Sequence, residues 1–169
     1  CGVTDDFVWT NEDLKTFQGV YQGNHHVISG ALFCGSSAGL ISSLEGAVVN
    51  LRMEHCASIA KTLCQAIVVG ESSGTVSNCS VSDSIVVSAD TNAYTGAIVG
   101  LAKLNSVISY NTSENNRIMN DGNAAGGIVG QSDVSVRDCL VNGGDVSGEE
   151  STGGIVGTVT NSAEGICIH

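Results

Sequence analysis

Gly96-Ala97-Ile98-Val99-Gly100 recurs as Gly126-Gly127-Ile128-Val129-Gly130 and as Gly153-Gly154-Ile155-Val156-Gly157. An earlier copy reads Ala66-Ile67-Val68-Val69-Gly70. The closing glycines Gly70, Gly100, Gly130 and Gly157 are separated by 30, 30 and 27 residues. A more degenerate copy, Ala31-Leu32-Phe33-Cys34-Gly35, lies 35 residues before the first. A fixed period in this range is the signature of a repeat architecture.

Each period carries a second apolar segment about ten residues on: Val49–Met53, Val76–Val81, Val107–Thr112, Val136–Val141 and Ile166–Ile168. A third follows at Ile85–Val87, Arg117–Met119 and Gly144–Val146. Gly, Ser, Asn and Asp turns separate them. One period therefore predicts three short strands. Three strands per 27 to 30 residues describe one coil of a parallel β-helix. A propeller blade needs about 40 residues and four antiparallel strands. Helical repeats would need an apolar period of about 3.6 residues, which is absent.

One coil cannot bury its own apolar face, so coils stack and equivalent residues form ladders. Val68, Ile98, Ile128 and Ile155 make one ladder, and Val69, Val99, Val129 and Val156 the next. Adjacent residues of a strand point to opposite faces. One ladder is thus expected inside and the other outside, as an external apolar ridge or covered by a neighbour. The second segment predicts a further column of Leu51, Cys79, Tyr110, Cys139 and Cys167.

The composition agrees. The chain has 169 residues, 22 Gly and no Pro, with 42% hydrophobic, 14% charged and 4% aromatic residues. That suits one domain whose narrow stacked core is filled by Val, Ile, Ala and Cys, and it excludes disorder. Six basic against seventeen acidic residues leave a net charge of −11. Nucleic acid is excluded as a partner, because phosphate binding needs clustered Lys and Arg. No apolar run approaches the roughly 20 residues of a membrane span.

Seven cysteines is an odd number, so one thiol at least is free or bonded to another chain. Without a CxxC pair, zinc is not expected. Coil spacing permits a Cys139–Cys167 disulfide, and Cys56 and Cys64 flank a turn where another could form. Cys1 admits three readings: the acylated first residue of a lipoprotein, which would be the chain's one link to a membrane; a disulfide partner for a neighbouring subunit; or a cut end.

Residues 1–30 do not fit the period. Thr10 or Asn11 followed by Glu12 and Asp13 is a helix-start pattern. It predicts a short helix near 11–17 that caps the open first coil with Phe7, Trp9 and Phe17. The stretch from Phe17 through Gly19, Gly23-Asn24 and Ile28 to Gly30 resembles the lead-in to GLUG-motif proteins of bacterial surfaces. The repeated Gly-Gly-Ile-Val-Gly resembles that family's namesake motif, with Ile for its more usual Leu. The resemblance covers roughly residues 7–169. It implies secreted or surface-attached repeat modules on β-helix-like coils, with no shared catalytic residues to carry over.

The fold expected is therefore all-β: a right-handed parallel β-helix (solenoid) of about five three-strand coils with a short N-terminal helical cap. Residues 1–30 form the cap and lead-in strand, and residues 31–65, 66–96, 97–126, 127–153 and 154–169 the coils, in one structural domain. Asp83, Asp90, Asp133, Asp138 and Asp145 make at most a sparse acidic stripe, not the clustered carboxylates of a β-helix lyase. Asn142-Gly143-Gly144-Asp145 reads as a turn with positive φ. His25-His26 sits in a loop with no partner the sequence can name. The function expected is an extracellular or cell-surface structural module for adhesion or display, with no catalysis and no cofactor. Its partners would be a protein or glycan surface ligand, or copies of itself. The alternative is a filament subunit stacking head-to-tail through the β-helix ends, and beyond that a carbohydrate-active enzyme.

Overall fold

The computed structural model describes residues 8–9, 16–36 and 38–160. Among them every regular element is a strand and every pairing is parallel. The chain winds into a solenoid of about five coils, and each sheet runs along the stack.

A coil contains five short strands rather than three. Sheet I stacks Ile41–Leu44, Val69–Ser72, Val99–Ala102, Val129–Ser132 and Val156–Val159. Sheet II stacks Val20–Gln22, Ala47–Val49, Thr75–Ser77, Val107–Ser109 and Val136–Arg137. Sheet III stacks Val27–Ser29, Arg52–Glu54, Ser80–Ser82, Thr112–Glu114 and Leu140–Asn142. Sheet IV runs from Val8–Trp9 through Leu32–Gly35, Ala57–Ala60, Ile85–Ser88 and Arg117–Asn120 to Asp145–Gly148. Sheet V stacks Cys64–Gln65, Tyr94–Gly96, Ala124–Gly126 and Ser151–Gly153.

The extra strands come from corners hidden inside apolar runs. Val76–Val81 reads as one strand, but Asn78 takes φ 53 and breaks it. Asn50, Tyr110 and Asp138 turn the same corner in their coils, at φ 57, 57 and 51. His55, Asp83, Asn115 and Gly143 turn the next one, at φ 53, 48, 52 and 67. Asn and Asp tolerate this left-handed region because their short side chains bond locally. Between corners a three-residue strand has only its middle residue facing in. Val48, Val76, Ile108 and Val136 thereby form one inward column of sheet II. Full burial of each Val or Ile stabilises the coil by roughly 1.5–3 kcal/mol.

The repeated pentapeptide behaves differently from the alternation rule. Val69, Val99, Val129 and Val156 do stand over one another, with Ile41 beneath Val69. Val68, Ile98 and Ile128 are nevertheless as deeply buried as Val69, Val99 and Val129, and all six belong to one continuous core. Ile155 is half-buried against that core. There is no external Val ridge. The chain bends between sheets V and I, so alternation does not carry across: the N–H groups of Ile98 and Val99 both donate to the Ile128 carbonyl, at 3.1 and 3.0 Å. The degenerate copy is also misplaced. Ala31–Gly35 supplies sheet IV, and the true counterpart of the pentapeptide is Ala38-Gly39-Leu40-Ile41-Ser42.

The closing glycines make this bend possible. A Cβ on Gly100 would lie 2.5 Å from the Gln65 nitrogen and 2.6 Å from the Gly70 carbonyl oxygen. On Gly157 it would lie 2.7 Å from the carbonyl oxygens of both Ala125 and Gly130. Gly96, Gly126 and Gly153 face back the same way, toward the carbonyls of Val99, Val129 and Val156. Sheets V and I thus meet backbone against backbone, where no side chain fits.

The helix expected near 11–17 falls mainly on residues outside those described. Phe17 itself is an isolated parallel bridge to Leu44, and no helix occurs among the described residues.

Replacing Gly100 by Ala is expected to destabilise the protein by about 3 kcal/mol or more, since the new methyl meets backbone that cannot yield. Gly154→Ala is the control. Nothing lies within 4 Å of a Cβ there, so its urea midpoint should stay level or rise slightly.

Candidate functional site

The described cysteines are structural. Cys34, Cys56, Cys64, Cys79 and Cys139 are buried free thiols. Cys56 and Cys64, expected as a disulfide pair, sit in different columns: Cys56 at the corner between sheets III and IV, Cys64 in the first strand of sheet V. Cys1 and Cys167 lie outside the described residues. Cys79 donates to carbonyls of Val48 and Ser77 at 3.6 and 3.4 Å. Desolvation pushes the Cys64 thiol up to about 12 and Cys79 up to about 11, and raises Cys56 and Cys139 as well. Such thiols are poor nucleophiles and poor metal ligands.

The buried column at Cys79 differs from the one expected. Its members are Leu51, Cys79, Asn111 and Cys139, because the register places Thr112 over Ser80 and Leu140 over Thr112. Tyr110 is displaced to the corner and is 61% exposed. The Lys103–Ser106 link is longer than the Ser73–Gly74 link below it, and this shifts the apolar pattern. Asn111 fits the core because both ends of its amide are used. Its Oδ1 accepts from the Cys79 N–H at 3.0 Å and its Nδ2 donates to the Val76 carbonyl at 3.0 Å. Asn116 repeats the arrangement one corner on, accepting from Ser84 N–H at 2.9 Å and donating to the Val81 carbonyl at 2.8 Å. Neither residue was expected in the core.

The carboxylates do not converge. Asp83 and Asp138 occupy different corners. Asp90 accepts from the Asn92 N–H at 2.9 Å. Asp133 accepts from the Thr160 hydroxyl, and Asp145 stands over Arg117 at the edge of sheet IV. No group of three or more His, Cys, Asp or Glu residues able to hold a metal occurs among the described residues. His25 turns a corner at φ 60, and Gly143 and Gly144 form a turn at φ 67 and 91.

Two surface features stand apart from the ladders. On sheet IV, exposed Ile59 lines a shallow depression of about 450 Å³ together with Gly35, Lys61, Val87 and Ala89, and Ile85 is exposed on the same sheet. On sheet II, where the last strand shortens to Val136–Arg137, a groove of about 330 Å³ opens between coils. Ser106, Val107, Ser109, Val134, Ser135 and Arg137 line it.

The raised thiols set a pH dependence. An unfolded Cys ionises near 9.0, whereas Cys64 and Cys79 stay protonated to about 12 and 11 when folded. The stability they carry is complete below about pH 9 and falls as pH rises toward 11. The slope is about 1.4 kcal/mol per pH unit per thiol. Urea unfolding between pH 8 and 11 measures it, and Cys79→Ser should flatten the decline.

Comparison of the chain with family models, with curated proteins and with solved structures finds no match in any of the three.

Proposed function

We propose that this chain is a non-catalytic structural module of the GLUG type, secreted or held on a cell surface, that serves adhesion or display. Its coils wind right-handed, as connections between parallel strands nearly always do. One observation carries the reading: at several outward and corner positions, polar side chains bond to those of the next coil. Asn78 Nδ2 donates to Asn50 Oδ1 at 2.6 Å, Ser77 and Ser109 hydroxyls meet at 3.2 Å, and Asn142 Nδ2 donates to Glu114 Oε1 at 3.2 Å. Such faces are held in shape before any partner arrives, which limits the ordering entropy of binding.

A specific feature favours end-to-end assembly as a second reading. The first described coil encloses an apolar cavity of about 220 Å³ lined by Phe17, Tyr21, Ile28, Ala31, Phe33, Leu40 and Ile41. A second copy stacking there would make a heterologous contact that propagates.

Two measurements separate these readings. Beads coated with the chain should retain surface glycans or matrix proteins saturably and release no new reducing ends from polysaccharide. Steady glycan cleavage would overturn the reading. Electron microscopy of non-reduced and reduced samples should show discrete particles, and regular fibres would put end-to-end assembly first.

A further inference from the structure

The left-handed corner between sheets II and III is turned by Asn50, Asn78, Tyr110 and Asp138. Three of these belong to the residue types that take this conformation readily. The fourth is a tyrosine at φ 57, and a bulky residue there is a genuine outlier. The fold does not require it, because Asn turns the identical corner two and one coils earlier. The ring contributes little to the core, being 61% exposed. Backbone strain that does nothing for the fold marks a place selected for something else.

A second, independent observation lies beside it. Tyr110 directly follows the wall of the 330 Å³ groove on sheet II, and its N–H donates to the carbonyl of Arg137 at 3.1 Å. Arg137 is exposed and makes no ion pair among the described residues, in a chain with only six basic groups. Ser109 stands below it in register, and Asp138, exposed, is the next residue along. Val107 is half-exposed in the groove.

We propose that Tyr110, Arg137, Asp138 and Ser109 form a binding site for a neutral sugar unit of a polysaccharide. A pyranose presents an apolar C–H face and a rim of vicinal hydroxyls. An exposed aromatic ring takes the first on its electron-rich face. The second falls to two consecutive residues: the Arg137 guanidinium donates to one hydroxyl and the Asp138 carboxylate accepts from its neighbour. Ser109 and Arg137 line the groove, which has room for a sugar unit, and Tyr110 and Asp138 directly follow them in the chain. The net charge of −11 selects against uronate polymers, which the chain as a whole repels. This site rests on the adhesion reading and gives it a ligand class.

The test is calorimetric titration of the whole chain with cello-, xylo-, manno- and chito-oligosaccharides, with oligogalacturonate as the acidic comparison. At least one neutral series should bind. Tyr110→Asn should weaken that binding by about tenfold or more while the melting temperature stays equal or rises, since Asn suits the corner. Arg137→Ala should weaken it as well. Unchanged affinity in Tyr110→Asn would overturn the site and leave adhesion standing through another surface. Binding of oligogalacturonate alone, or of no sugar, would also overturn it, and retention of matrix proteins on beads would then decide the adhesion reading by itself.

Discussion

The last three coils of this solenoid depend on one close approach: the backbone of sheet V lying against the backbone of sheet I with only hydrogen between them. Gly100, Gly130 and Gly157 stand on one side, and Gly96, Gly126 and Gly153 on the other. From Gly96 onward neither side carries a Cβ, so the chain folds back within two residues and still keeps both strands in their ladders; the first turns of the stack carry Ser42 and Ala66 at the corresponding places. That sharp bend turns Ile98 and Val99 into the interior together. The core is therefore filled by two apolar residues at the bend and by single middle residues along sheets II and III. A bulkier interface would open the coil and leave the Ile and Val columns with nothing to pack against.

The polar residues inside complete this economy of side chains. A coil with five corners exposes backbone groups at each of them, and buried groups need partners. In the third coil, Asn111 and Asn116 supply these from the neighbouring coil, each amide bonding one N–H and one carbonyl. Asn120 donates to the carbonyl of Ala93 in the preceding coil and to that of Ala124 in its own. The bonds to the preceding coil also fix which residue stacks on which. A slip of one position would leave both ends of each amide unpaired.

The stacking period was legible because glycine and the Ile-Val pair recur with it, and both are forced by the bend. The corners were not. Asn78 inside Val76–Val81 looks like an outward polar residue of a continuous strand, and nothing in the local pattern separates that from a left-handed turn. Tyr110 illustrates the same gap: aligning apolar residues puts it in the core column, whereas the two additional residues between sheets I and II give that place to Asn111. The disulfide between Cys56 and Cys64 was inferred from nearness along the chain, yet the corner columns hold them apart. The surface groove was illegible because it arises from unequal strand lengths in adjacent coils, which only the stack reveals.

The register offsets along sheet I are 28, 30, 30 and 27 residues, yet the ladders stay straight. The variation is absorbed at two kinds of corner: between sheets I and II, where Lys103–Ser106 is the long link, and between sheets IV and V, where the link runs from Glu149–Glu150 up to Ala89–Ala93. The molecule therefore behaves as a ruler with fixed graduations of about 4.8 Å. Duplicating one period lengthens it by one graduation and moves everything beyond by a known step, without disturbing the core. Loops at those two corners can be exchanged or enlarged independently of that length. Reach and surface chemistry are thus separate variables, each open to change while the other is held constant.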